Sequence, residues 1–216
     1  MNILKPITII AATLFITVNA NAVTTTAKNV AVTKEMKNLA PKGHDVTLAY
    51  NMGDLNKDQK DDYALVIVSK DKKDNEGSGL MMMMSDKDAK YSTPLVKTKF
   101  IDSHLKDSTS LFSFETHNNK FQILFEDQKG DYRFLFKYIA KNGGWFKLIA
   151  SEHKYMEGEK TTRKANINYL TEKMTIEENN KTVTYRIKVD EELNFKKIEA
   201  LDFNADRKHQ ESGTQE

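Results

Sequence analysis

The 216-residue chain contains no cysteine, only three prolines and a single tryptophan. Without cysteine it can form no disulfide and perform no thiol chemistry, so an exported fold must rely on packing and bound ions. The five histidines, His44, His104, His117, His153 and His209, show no His-x-x-x-His or His-Glu-x-x-His spacing, and zinc has no signature here. Each reads as a surface or turn histidine. There is no Gly-x-Ser-x-Gly elbow, no P-loop and no Gly-x-Gly-x-x-Gly turn. An excess of one charge is lacking as well, with 33 Lys and Arg against 31 Asp and Glu. That balance gives neither the net basic face of a nucleic-acid binder nor the basic surplus that docks to membranes.

Residues 1–22 differ from the rest. One positive charge, Lys5, precedes an apolar run over 7–18, and Ala20-Asn21-Ala22 places small residues where a signal peptidase reads. The pattern predicts a signal peptide cleaved after Ala22, with the protein periplasmic or secreted. The run falls short of the roughly 20 residues a membrane span needs, so no span is expected after cleavage. Removing this segment with its one lysine lowers the formal charge from +2 to +1. What remains is long enough to bury a core without covalent staples.

Along the chain, residues 23–32 are Thr-, Ala- and Val-rich without a helical period and are expected to form a flexible leader. Thr33 is an N-cap candidate, with Met36 and Leu39 on one helical face, and Pro41 and Gly43 stop the helix. Residues 45–50 alternate, with Val46, Leu48 and Tyr50 on one side and Thr47 and Ala49 on the other. Residues 63–69 are apolar on both faces. Residues 71–79 read as a polar surface loop, and 80–85, with Met81 to Met84, as a strand. Further strands with turns every eight to twelve residues run from 112 to 152, then over 165–171, 174–178, 182–189 and 195–203. Asn179-Asn180 and His117-Asn118-Asn119 suit hairpin turns. The expected fold is mainly β, an antiparallel meander, sandwich-like or propeller-fragment-like, with a short N-terminal helix. The β-rich domain spans 33–204, and 205–216 form a polar, disordered tail.

The most specific signal is Gly53-Asp54-Leu55-Asn56-Lys57-Asp58-Gln59-Lys60-Asp61-Asp62, followed by the apolar strand Tyr63-Ala64-Leu65-Val66-Ile67-Val68. Calcium takes six to eight oxygen ligands, largely from carboxylates. Taking Asp54 as position 1, oxygens recur at Asp54, Asn56, Asp58 and Asp62, and Lys60 offers its backbone carbonyl. Crowding three carboxylates together without a cation would be repulsive. An EF-hand needs Gly at position 6, a bidentate Glu at position 12 and flanking helices. This chain has Gln59, Leu65 and strands. The loop resembles the calcium hairpin of FG-GAP/VCBS-type repeats, and the region from the short helix to Val68 is similar to exported bacterial proteins carrying one such motif ahead of a β-rich body. The resemblance implies a calcium-binding β fold and carries no implication about activity. It departs from the pattern at Gln59, where Gly is usual and a sharp turn is needed.

Other residues carry weaker signals. Asp202, Asn204 and Asp206 echo the loop without a following strand. Glu115, Glu126 and Glu152 could pair as glycosidase carboxylates, although a solvated sheet face explains them better. Met81 to Met84 favour core packing over copper ligation. Trp145 reads as a core anchor rather than a platform for sugar. The function expected is that of a non-enzymatic calcium-binding module with a protein partner in the cell envelope. The alternatives are a periplasmic inhibitor or immunity protein that blocks a toxin or hydrolase, and an envelope hydrolase.

Overall fold

The computed structural model describes residues 25–70, 78–86, 88, 90–101, 111–127, 130–141, 144–158, 160–189 and 205–216. The expected signal peptide, the polar loop over 71–77, His104 and the expected strand at 195–203 lie outside them.

The backbone pairs entirely antiparallel, as turn signals at short intervals require. Thr33 begins α1 (Lys34–Leu39): its side chain accepts from the Met36 amide at 3.2 Å. Strands β2 (Lys28–Val30), β3 (His44–Gly53), β4 (Asp62–Ser69), β5 (Ser78–Ser85) and β6 (Tyr91–Ile101) form a five-stranded sheet in that order. The larger sheet has nine strands. It starts with β1 (Thr25–Thr26), followed by β7 (Leu111–His117), β8 (Lys120–Asp127), β9 (Gly130–Ile139) and β10 (Trp145–Glu157). It continues through β11 (Lys160–Asn168), β12 (Lys173–Glu178) and β13 (Lys181–Arg186) to β14 (Thr214–Gln215), with α2 (Ala205–Ser212) just before that last strand. Asn179 and Asn180, at φ 50° and 60°, make the primed turn whose twist matches a two-residue hairpin.

Two cores follow from side-chain alternation. Met52, Ala64, Met82 and Met84 of the small sheet meet Phe114, Phe121 and Phe136 of the large one. Tyr50 and Phe114 touch across the gap, with ring centroids 4.9 Å apart. On the opposite face of the small sheet, Val46, Ala49, Leu65, Ile67, Met81 and Met83 lie under Met36 of α1. The layers are therefore helix, small sheet, large sheet, and the expected sandwich-like β fold is what forms. The four methionines point alternately into the two cores, all at 2 % exposure or less. Only a strand covered on both faces gives adjacent apolar residues that outcome.

Three expectations change. The strict alternation over 45–50 is broken by a bulge at Thr47, because Val46 faces Ile67 while Leu48 faces Val66. Val46 therefore shares a face with Ala49, not with Tyr50. The leader at 23–32 is paired along its described part. Thr25 and Thr26 lie against β7, Lys28 to Val30 against β3, and Ala27 is buried between them. Three-residue strands carry too few side chains to show a period, and main-chain pairing holds them. The tail at 205–216 forms α2 and β14, and Ala205 joins the main core.

If the methionine strand is core, its volume matters more than its chemistry. Met82→Ala should cost about 2–5 kcal/mol, and Met82→Leu less than about 1.5 kcal/mol, in urea unfolding. Equal, small losses for both would place Met82 at a surface.

Candidate functional site

The acidic loop closes one end of the sandwich. Leu55, fully buried, inserts into the main core and pins the loop inward. Gly53 at φ 67° opens the turn, and its amide donates to Asn51 Oδ1 at 2.8 Å. Lys57 and Gln59 take φ values of 68° and 73°, the left-handed region that L side chains disfavour. Gln59 thus adopts the turn that Gly would make without steric cost.

The alternating side chains do turn inward. The Asp58 amide donates to Asp54 Oδ1 at 2.9 Å and to Asn56 Oδ1 at 3.0 Å, bringing those three residues together. Gln59 N donates to Asp54 Oδ2 at 2.8 Å, and Lys60 N to Asp58 Oδ1 at 2.9 Å. Asp62 is fully buried. Its Oδ2 accepts from Leu55 N at 2.8 Å and its Oδ1 from Ser85 N at 2.9 Å. Ser85 is the residue that sequence reading missed. Its hydroxyl lies 3.0 Å from Asp58 Oδ2 and 3.3 Å from Asp62 Oδ1, and its carbonyl accepts from Asn56 Nδ2 at 2.7 Å. It ends β5, 23 residues beyond Asp62, and only the pairing of β4 with β5 reveals the contact. The Lys60 ammonium turns away to the Asp86 carbonyl at 3.2 Å.

The electrostatics are one-sided. Burial lifts the Asp62 carboxyl to about 6 from 3.8, against the pull of amides from Ser85, Leu55 and Asn56 and with help from the charge of Asp58. Burial also raises Tyr63, Tyr91 and Tyr138, and the loop acids raise each of them further. Among the described residues, no Lys or Arg is ion-paired with Asp54, Asp58 or Asp62. In this conformation no three His, Asp or Glu side chains among the described residues converge closely enough to hold a metal ion. Asp54 and Asp58 meet through one amide, and Asp58 and Asp62 through one hydroxyl. The donor set is all oxygen and suits a hard cation. Each carboxylate offers about four lone-pair sites, and the recorded hydrogen bonds leave capacity on Asp54.

A second polar cluster lies under α2. Ser151 Oγ is 3.2 Å from His153 Nε2, and His153 Nδ1 is 3.4 Å from Asp206 Oδ1 without hydrogen-bond alignment. The order Ser, His, Asp has the connectivity of a hydrolase triad. Ser151, however, is only 5 % exposed, His153 and Asp206 are fully buried, and the Tyr169 hydroxyl occupies the other side of Oγ at 3.2 Å. A nucleophile must meet its substrate, and this one is sealed. The cluster fastens α2 to the sheet: Asp206 also takes the Tyr155 hydroxyl at 2.8 Å and lies 3.1 Å from Arg163 Nη2. His153 is therefore no surface histidine, and Asp206 anchors a helix rather than extending a loop-like echo.

The three glutamates do not converge. Glu115 accepts from Gln122, Glu126 sits opposite Asp131, and Glu152 lies among Lys164, Lys154 and Arg133 at 2.9, 3.3 and 3.7 Å. Trp145 is half-buried and belongs to neither core. Comparison with known proteins finds no match: no family model, no curated protein and no solved structure corresponds to the chain.

Burial pushes the Asp206 carboxyl up, but His153, Tyr155 and Arg163 outweigh it and hold it below 3.8. A depressed folded-state value stabilises above the unfolded value and fades as pH falls through it. The anchoring of α2 should therefore hold at neutral pH and loosen below about pH 4. Asp206→Asn should lose about 3–5 kcal/mol at pH 7, with a flatter acid limb, followed by hydrogen exchange of α2 and β14. Unchanged exchange in α2 would remove the anchoring role.

Proposed function

We propose that the chain is an exported, periplasmic or secreted, calcium-binding β protein in which one Ca2+ serves structure and not catalysis. Asp54, Asn56, Asp58 and Asp62 would hold the ion through side-chain oxygens, and Lys60 through its carbonyl. The resemblance of the loop to FG-GAP/VCBS-type hairpins supports this reading over residues 54–68. The observation that carries it is Asp62: a carboxylate shut away from water, with Asp58 beside it and, among the described residues, no basic side chain paired to either. A buried charge of this kind is costly unless compensated. A divalent cation supplies the missing charge, and the hydroxyl and amide of Ser85 position Asp58 and Asp62 for it. The ion would fix the turn between β3 and β4, whose register already shifts between Asn51 and Gly53.

The raised value of Asp62 gives the proposal a pH signature. Without calcium, this group's contribution to stability is full below 3.8 and is lost as pH rises through about 6. Calcium should restore stability over that interval and bind more weakly as pH drops below about 6. Calorimetry and thermal melting with calcium and with chelator check this. At a hundredfold excess over Kd the gain is about 2.7 kcal/mol. Asp58→Ala should abolish the difference. Equal melting temperatures and no binding heat in the parent protein would refute the site.

Gln59 offers an independent check. Gln59→Gly should relieve about 1 kcal/mol of left-handed strain and raise the melting temperature of the calcium-free protein. A drop on substitution would show that the Gln59 side chain itself supports the loop.

A further inference from the structure

The chain's net charge is nearly balanced, but the register of the large sheet concentrates lysine on its outer face. Phe121, Phe136 and Phe146 point into the main core, so their neighbours Lys120, Lys137 and Lys147 point the other way. Lys137 pairs directly with Lys120 on β8 and with Lys147 on β10. Three lysines thus stand side by side across adjacent strands, and His117 faces Lys120 on β7. Like charges at directly opposed positions destabilise a sheet. Among the described residues none of the three lysine side chains is ion-paired or hydrogen-bonded. The nearest row of side chains holds Leu135, Gln122 and Glu115, and Gln122 already donates to that glutamate. On the other side of the lysines, Trp145 pairs with Ile139, and the indole makes no ring contact among the described residues.

We infer that this row is a binding face for an acidic polysaccharide lying across β8, β9 and β10, with its carboxylates on Lys120, Lys137 and Lys147 and a sugar ring on Trp145. Neighbouring strands are about 4.8 Å apart, roughly the length of one pyranose unit, so adjacent lysines match adjacent acidic sugars. The row is linear and lies inside the sheet, not at an edge, so it does not suit an acidic peptide that would add a strand. A single indole cannot stack successive bases of a nucleic acid. A bilayer would call for protruding apolar groups. The large hydrophobics standing exposed among the described residues are Val96, on β6 of the small sheet, and Leu170, in the turn after β11, neither of them beside the row.

The test uses the purified protein and polygalacturonate at low ionic strength, in chelator, so that bridging through the acidic loop is excluded. Binding should fall steeply with added salt. The triple variant Lys120→Gln, Lys137→Gln, Lys147→Gln should lose about tenfold in affinity and most of the salt dependence. It should melt no lower than the parent, because the repulsion along the row is gone. Trp145→Ala should weaken binding by about threefold and leave the salt slope unchanged. Lys70→Gln, which removes an ion pair with Asp45 on the small sheet, should bind as the parent does. Undiminished binding by the triple variant, or no binding to polygalacturonate beyond that to neutral dextran, overturns the inference. So does tighter binding to oligo-dT, polyglutamate or anionic phosphatidylglycerol vesicles than to polygalacturonate.

Discussion

A carboxylate out of reach of water ties together the parts of this molecule that carry chemistry. Asp62 opens β4, and its two oxygens divide the work. One takes the Leu55 amide and holds the acidic loop against the core, and the other takes the Ser85 amide and holds the end of β5. Loop, central strand and methionine strand therefore share one anchor. The amides offset the burial only in part, which is why the carboxyl remains well above its ordinary value. Any group that supplies positive charge at this point acts on three elements together.

Much of the architecture was readable from periodicity. The meander from β7 to β10, the Asn-Asn hairpin and the cap of α1 are local signals, each written within a few residues. What escaped reading depends on partners far away in the chain. Thr47 becomes a bulge because β4 sets the register opposite it. Thr25 to Val30 become strands because two sheet edges are available to them. Asp206 lies 53 residues from His153, and only the turn of α2 over β10 brings them together. The candidate site divides in the same way. Asp54, Asn56, Asp58 and Asp62 announce themselves by spacing, whereas Ser85 is an ordinary serine until β5 pairs with β4.

Balanced composition also concealed an uneven surface. A count of charges cannot distinguish Glu152, surrounded by three cations that hold its carboxyl below its ordinary value despite burial, from Lys137, flanked by two lysines. Strand register makes that distinction. At one end of the outer face of the large sheet the cations share a carboxylate, and at the other the lysines of the row have none among the described residues.

The segment from Thr25 to Val30 has a consequence for the order in which the fold can form. It joins the small sheet through β3, about 20 residues on, but reaches the large sheet through β7, at Phe114 to Thr116, some 90 residues away. Closing so long a loop is slow because its entropy is lost before the contact rewards it. The beginning of the described chain therefore waits for its middle, just as α2 waits for β10. Both flanks of the large sheet, β1 and β14, are thus formed by the two ends of the described chain, whereas every strand between them pairs with its neighbour in sequence.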